Sequence, residues 1–263
     1  MVTAPPFPDK PMKHGPASLI LSLVALALLL AAPRPASAQQ PGSLLIWPVN
    51  PVIEGDARAA ALWLENPGKT PITLQVRIFA WAQQNSDNVY APQNDVVGTP
   101  PIVSIAPGER QLIRLTRTTP PPDVAEKPYR IVVDEIPTGT ASAAPGASVS
   151  FRMRYSLPLF SYAQRGDSKA RPTAPAPQIS WRTSADNGER FLEIRNTGAS
   201  HARLTDVSFT AGPNKLPVAQ GLLGYVLPGA TMRWPLPRDI DITGELVATV
   251  NGTAGIPVTR RQE

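Results

Sequence analysis

Residues 148–160 read S-V-S-F-R-M-R-Y-S-L-P-L-F, and this alternation is the strongest constraint on what the chain can fold into. Successive side chains of an extended strand point to opposite faces. Val149, Phe151, Met153, Tyr155, Leu157 and Leu159 therefore share one apolar face. Ser148, Ser150, Arg152, Arg154, Ser156 and Pro158 share the other. A loose Thr-, Ala- and Gly-rich stretch precedes the run and a Pro-rich joint follows it. A long apolar strand beside such a loop has to be hidden or blunted, because an exposed edge invites pairing with another chain.

The rest of the chain repeats the theme. Short extended segments alternate with turn signals, and helical periodicity is nearly absent. Leu44 to Val49 and Val52-Ile53 lead through Glu54-Gly55-Asp56 into Arg58 to Glu65. Asn66-Pro67-Gly68-Lys69 turns the chain into Ile72 to Trp81. Pro101 to Ile105, Gln111 to Arg117 and Tyr129 to Pro137 follow, and the alternating run completes a set of about seven strands, the number of an immunoglobulin-like sandwich. Residues 164–178 are polar and Pro-rich, the composition of a linker. Beyond them the pattern restarts. Asp186-Asn187-Gly188 and Asn251-Gly252 each sit between apolar alternations, a strong hairpin signal because both turn residues tolerate positive φ. The expected organisation is all-β: a first sandwich over residues 39–163 with its last strand at 148–160, a crossing over 164–178, and a second sandwich over 179–263.

Residues 1–38 read as a cleaved signal peptide. Lys10, Lys13 and His14 precede an apolar run from Leu19 to Ala32, and Ala36-Ser37-Ala38 supplies small residues for cleavage. The run is shorter than the roughly 20 residues of a membrane span, so export without stable membrane insertion is expected, with translation starting at Met1 or Met12. The net charge of +5 lacks the basic stripe of a nucleic-acid binder. The absence of cysteine removes thiol nucleophiles, disulfides and thiolate metal sites. After cleavage His201 is the one histidine left, which excludes a multi-histidine metal site within one chain.

Catalytic constellations are weak. His201 lies at a turn edge with no Gly-x-Ser-x-Gly elbow. No phosphate-binding Gly-rich loop is present. Asp134 and Glu135 face opposite sides of a strand and cannot act as a glycosidase pair across one substrate. Asp239 and Asp241 share a face but fit a solvated strand end. Trp47, Trp63, Trp81, Trp181 and Trp234 fall on different strands, which suits packing better than a sugar platform. No catalytic residue, metal or cofactor is expected.

The order of several short motifs carries a more specific reading. Leu64-Glu65-Asn66-Pro67, Thr99-Pro100-Pro101-Ile102, Ile105-Ala106-Pro107-Gly108, Tyr129-Arg130, Glu135-Ile136-Pro137 and Tyr155-Ser156-Leu157-Pro158-Leu159-Phe160 succeed one another in the first half. Leu192-Glu193-Ile194-Arg195-Asn196-Thr197-Gly198 and Tyr225-Val226-Leu227-Pro228-Gly229 follow in the second. Together they resemble the periplasmic chaperones of chaperone–usher pilus assembly, the PapD type, in a divergent, archaic-type branch. The resemblance implies two immunoglobulin-like domains in an L-shaped arrangement, with a pilus or fimbrial subunit in the cleft. It further implies donor-strand complementation: a subunit lacking its last strand borrows one from the chaperone. On this reading Val149, Phe151 and Met153 insert into the subunit, with Tyr155 at the margin.

One departure from the resemblance is plain. The family anchors the subunit's terminal carboxylate with an Arg on the first strand and a Lys late on the donor strand, positions that fall here near Asn50 and on Pro158. Arg154 is the first substitute, followed by Arg152 and by Arg130 on the neighbouring strand; a solvated edge-blunting face is the other reading of Arg152 and Arg154. The implied partners are subunits and an outer-membrane usher, in the periplasm. The alternative is a secreted β-sandwich that binds carbohydrate or a cell-envelope protein.

Overall fold

The computed structural model describes residues 44–137, 152–163, 176–211, 214–238, 240, 242 and 244–261. The proposed leader, Val149, Phe151, Asp239, Asp241 and most of the 164–178 joint lie outside the described residues. Every regular element among the described residues is a strand.

The first half holds β1 (Leu45–Trp47), β2 (Val52–Ile53), β3 (Ala59–Glu65), β4 (Ile72–Gln84), β5 (Asp87–Pro92), β6 (Val96–Thr99), β7 (Ile102–Ile105), β8 (Arg110–Arg117), β9 (Glu126–Ile136) and β10 (Arg154–Tyr162). One sheet runs β1-β3-β8-β6; the other runs β2-β10-β9-β4-β5, with β7 on β4. The inward faces meet as a sandwich core. Leu62, Leu64, Ile113 and Leu115 of one sheet pack against Leu74, Val76, Tyr129, Ile131, Val133, Leu157 and Leu159 of the other. The strand set is larger than the spacing predicted. β5 has no signal in the sequence: all six of its residues are exposed, so it carries no apolar alternation. β6 is short and interrupted by Gly98.

The second half holds β11 (Ile179–Asp186), β12 (Glu189–Asn196), β13 (Ala202–Ala211), β14 (Asn214–Val226), β15 (Thr231–Pro235), β16 (Glu245–Val250) and β17 (Thr253–Arg260). They form one hydrogen-bonded path, β14-β13-β16-β17-β11-β12-β15. β17 joins the layers: it pairs antiparallel with β16 and, at Thr259 and Arg260, parallel with β11. Trp181, Leu192, Ile194, Leu204, Val207, Phe209 and Leu246 fill the core. Both Asn-Gly turns form as read: Asn187 and Gly188 have φ of 51° and 81°, and Asn251 and Gly252 have 49° and 89°.

Each sandwich contains the same buried asparagine device at a strand end. The Asn66 side chain donates to the carbonyls of Thr70 and Ile105 and accepts from the Gly68 amide. The Asn196 side chain donates to the carbonyls of Ser200 and Val226 and accepts from the amides of Gly198 and Gln178. Both side chains satisfy backbone groups of the adjoining turn and of a neighbouring strand's end. Asn66→Ala strands these groups in a buried site, at about 1–3 kcal/mol for each unsatisfied one. Its melting midpoint is expected to fall by more than 5 °C, and an unchanged midpoint would refute this role.

Candidate functional site

β10 (Arg154–Tyr162) covers the later part of the strand expected at 148–160 and runs two residues past it, and among the described residues its outer edge is largely open. It pairs with β9 from Arg154↔Asp134 to Tyr162↔Glu126. Among the described residues its other side meets β2 only at Phe160 and Ser161. The direction of the free groups follows from two bonds. The Glu135 amide donates to the Met153 carbonyl, and the Phe160 amide donates outward to Pro51. In an antiparallel ladder this alternates, so Met153, Tyr155, Leu157 and Leu159 address β9 while Arg154, Ser156 and Pro158 address the open edge. Pro158 has no N–H to donate, and the open edge is the side where that costs nothing in the ladder. A strand added there can use the amides of Arg154 and Ser156, and its ladder weakens at Pro158.

The apolar face of β10 divides at Tyr155. Leu157 and Leu159 are core. Tyr155 packs against that core, and its hydroxyl accepts the Leu44 amide at 3.3 Å. Met153 is 40% exposed and lies beyond the core, available to another chain. Val149 and Phe151 precede it, outside the described residues.

The three arginines separate clearly. Arg152 is exposed. Arg154 donates to Asp134 at 2.5 Å, and Arg77 donates to the same carboxylate at 2.6 Å, a ladder across β10, β9 and β4. Burial raises the Asp134 pKa, but the hydrogen bonds from Arg154 and Arg77 outweigh it and leave it below the ordinary value. Arg130 differs. It stands opposite Pro158 on β9, and its guanidinium lies 4.1 Å over the ring of Trp81, with Tyr90 and Tyr225 each at 5.9 Å. Its Nε is buried and has no hydrogen-bond partner among the described residues. A buried donor without a partner is costly, and a planar fork is well suited to a carboxylate.

Tyr225 comes from the second sandwich, so the aromatic surface under Arg130 is shared by both halves. Gln83 donates to the Tyr225 carbonyl and accepts from the Leu227 amide. Phe160, Trp81 and Leu227 form an apolar cluster between the halves. Glu126, whose side chain is fully buried, accepts from the His201 amide at 3.0 Å and lies 2.8 Å from His201 Nδ1. His201 is thus part of the joint, more than a turn-edge residue. The base of β10 is held by Arg117, which donates to Ser161 Oγ and to the carbonyls of Tyr162 and Gly55. No local pattern marks these joint residues, since each partner is remote in the chain. Trp47 and Trp63 lie on different strands and stack across β1 and β3 at 6.3 Å. Trp181 is core and Trp81 belongs to the joint, in keeping with packing roles.

A strand edge that meets β2 at only two described residues, beside a joint built from both sandwiches, is a place where a strand of another chain can add. Residues 47–163 match the family model for the pili and flagellar-assembly chaperone, PapD N-terminal domain. A chain in the chaperone–tip subunit pre-assembly complex CsuC–CsuE, from the archaic Csu pili of Acinetobacter baumannii, is similar at 30% identity. That match covers 84% of this chain and 100% of that one, with a TM-score of 0.65. The Salmonella enterica SafA pilin–SafB chaperone complex matches at 18% identity and TM-score 0.57, covering 84% and 95%. The E. coli chaperone DraB matches at 20% identity and TM-score 0.54, covering 83% and 96%. The comparison with curated protein sequences found no match. This chain belongs to the PapD-like family of pilus-assembly chaperones.

Proposed function

We propose that this chain is an exported periplasmic chaperone, without enzymatic activity, that caps incomplete immunoglobulin-like fibre subunits by donor-strand complementation and delivers them to an outer-membrane usher. Residues 39–163 carry the donor strand, 164–178 cross over, and 179–263 complete the cleft. The observation that carries the reading is the open edge of β10, with Met153 exposed at the end of an otherwise buried apolar face.

The energetics suit a chaperone. Fully burying Val149, Phe151 and Met153 contributes roughly 1.5–3 kcal/mol each, and lost association entropy and loop ordering offset part of this. The grip is firm and still exchangeable. Arg130 is the proposed carboxylate anchor. The ladder offered to an incoming strand weakens at Pro158, and the cation at that level is Arg130, on the adjacent strand, with Nε buried and unpartnered among the described residues. Arg154 is already committed to Asp134. In the Csu pre-assembly complex a chaperone is paired with a tip subunit, which supports the same role here.

Co-expression in a periplasm with candidate subunits tests the proposal. A subunit that is degraded alone is expected to persist and co-purify one-to-one with the chain. Binding to glycans with no subunit protected would favour the carbohydrate-binding alternative instead.

A further inference from the structure

Four rings meet where the sandwiches join, two from each half. Phe160 and Trp81 belong to the first; His201 and Tyr225 belong to the second. The His201 imidazole lies flat on Phe160, 3.7 Å between centroids and 1° between planes. Trp81 contacts Phe160 at 6.0 Å and Tyr225 at 5.5 Å, edge-on to the latter. His201 and Tyr225 are 5.9 Å apart. Arg130 rests on this cluster through Trp81 and Tyr225.

The imidazole cannot swing away. Its own backbone amide and its Nδ1 both engage Glu126, whose side chain is fully buried at the start of β9. The partners of this clamp are strand neighbours of the site: Glu126 opposes Tyr162 and Pro128 opposes Phe160 on β10. A planar group pinned by a carboxylate at its edge and by a ring on its face has few rotamers open to it.

We propose that His201 is a positioning residue for the subunit-anchoring cation. Lying on Phe160 while Glu126 holds its edge, it fixes the four-ring floor on which the Arg130 guanidinium is presented. The second sandwich thereby contributes to capture through His201 and Tyr225. This role for His201 deepens the reading of Arg130 as the carboxylate anchor and rests on it.

The test uses the full exported chain and a synthetic strand peptide of alternating valine and serine, supplied as the free acid and as the C-terminal amide. The wild type is expected to bind the acid about tenfold tighter than the amide. His201→Ala is expected to lose that preference with amide affinity unchanged, and His201→Phe, which keeps a ring on Phe160, to retain most of it. If His201→Ala does not fold, Phe160→Leu, which removes the ring beneath His201, is expected to lose the same preference. A preference that survives in both His201→Ala and Phe160→Leu overturns the proposal, as does an equal fall in acid and amide affinity. A second readout needs no peptide: exchange of the Arg130 Nε–H with solvent is expected to accelerate at least tenfold in His201→Ala. If the wild type shows no acid preference, the anchor role of Arg130 fails. The Nε–H exchange then decides the positioning alone, acceleration supporting it and an unchanged rate overturning it.

Discussion

Arg130→Ala is expected to release a captured subunit roughly 30- to 4,000-fold faster, corresponding to about 2–5 kcal/mol for truncating one partner of a buried charge pair. The melting midpoint of the free chain should move little. Arg130 lies closest over Trp81, with Tyr90 and Tyr225 farther off, and leaves its Nε without a partner among the described residues, so the free protein loses these cation–π contacts, about 0.5–2 kcal/mol for the closest, and sheds an unsatisfied donor in return. Arg130→Lys keeps the charge and loses the fork, and an intermediate release rate is expected. Arg154→Ala provides the contrast. Its side chain is 68% exposed and bound to Asp134, an arrangement worth about 0–1 kcal/mol, so subunit release should change less than fivefold. Stopped-flow release of a labelled subunit measures all three. If Arg154→Ala releases the subunit and Arg130→Ala does not, the anchor is misassigned.

Phe151→Asp combined with Met153→Asp is expected to abolish subunit recovery from the periplasm while the chain itself stays folded. Each substitution places a carboxylate where an apolar groove must close, and an unpaired buried charge costs several kcal/mol. These costs, with the burial of Phe151 and Met153 also lost, outweigh the roughly 1.5–3 kcal/mol that Val149 alone still contributes. Met153 lies outside the core cluster and is exposed, so the free chaperone tolerates a charge there. Leu157→Asp, two register steps along the same face, is the control. Leu157 is core, and that variant is expected to unfold. A double variant that still protects and co-purifies its subunit would remove these residues from the donor role. One that unfolds would make them internal core.

Legibility followed sequence distance. The hairpins at Asn187-Gly188 and Asn251-Gly252 formed as read because two adjacent residues decide them. The core strands were visible because burial on one face imposes period two, as in β9, where Tyr129, Ile131 and Val133 alternate inward. β5 was invisible because nothing on it is buried. The candidate site was legible only in its local pattern. The apolar face of β10 is a local pattern, and its open edge agrees with the strand order. The contrast between Arg154 and Arg130 was not legible, since Asp134, Trp81 and Tyr225 reach them only through the fold. The joint built on Glu126 and His201 joins residues 75 positions apart, and neither position carries a local pattern.

The central claim is that β10 lends its outer edge to a subunit, and backbone amide exchange on the subunit complex tests it most directly. The amides of Arg154 and Ser156 face the open edge, while those of Tyr155 and Leu157 already bond to β9. Binding is expected to slow exchange at Arg154 and Ser156 by at least about a hundredfold and to leave Tyr155 and Leu157 nearly unchanged. If Arg154 and Ser156 exchange as fast in the complex as in the free chain, and protection falls instead on an edge such as β5, the donor-strand account is wrong.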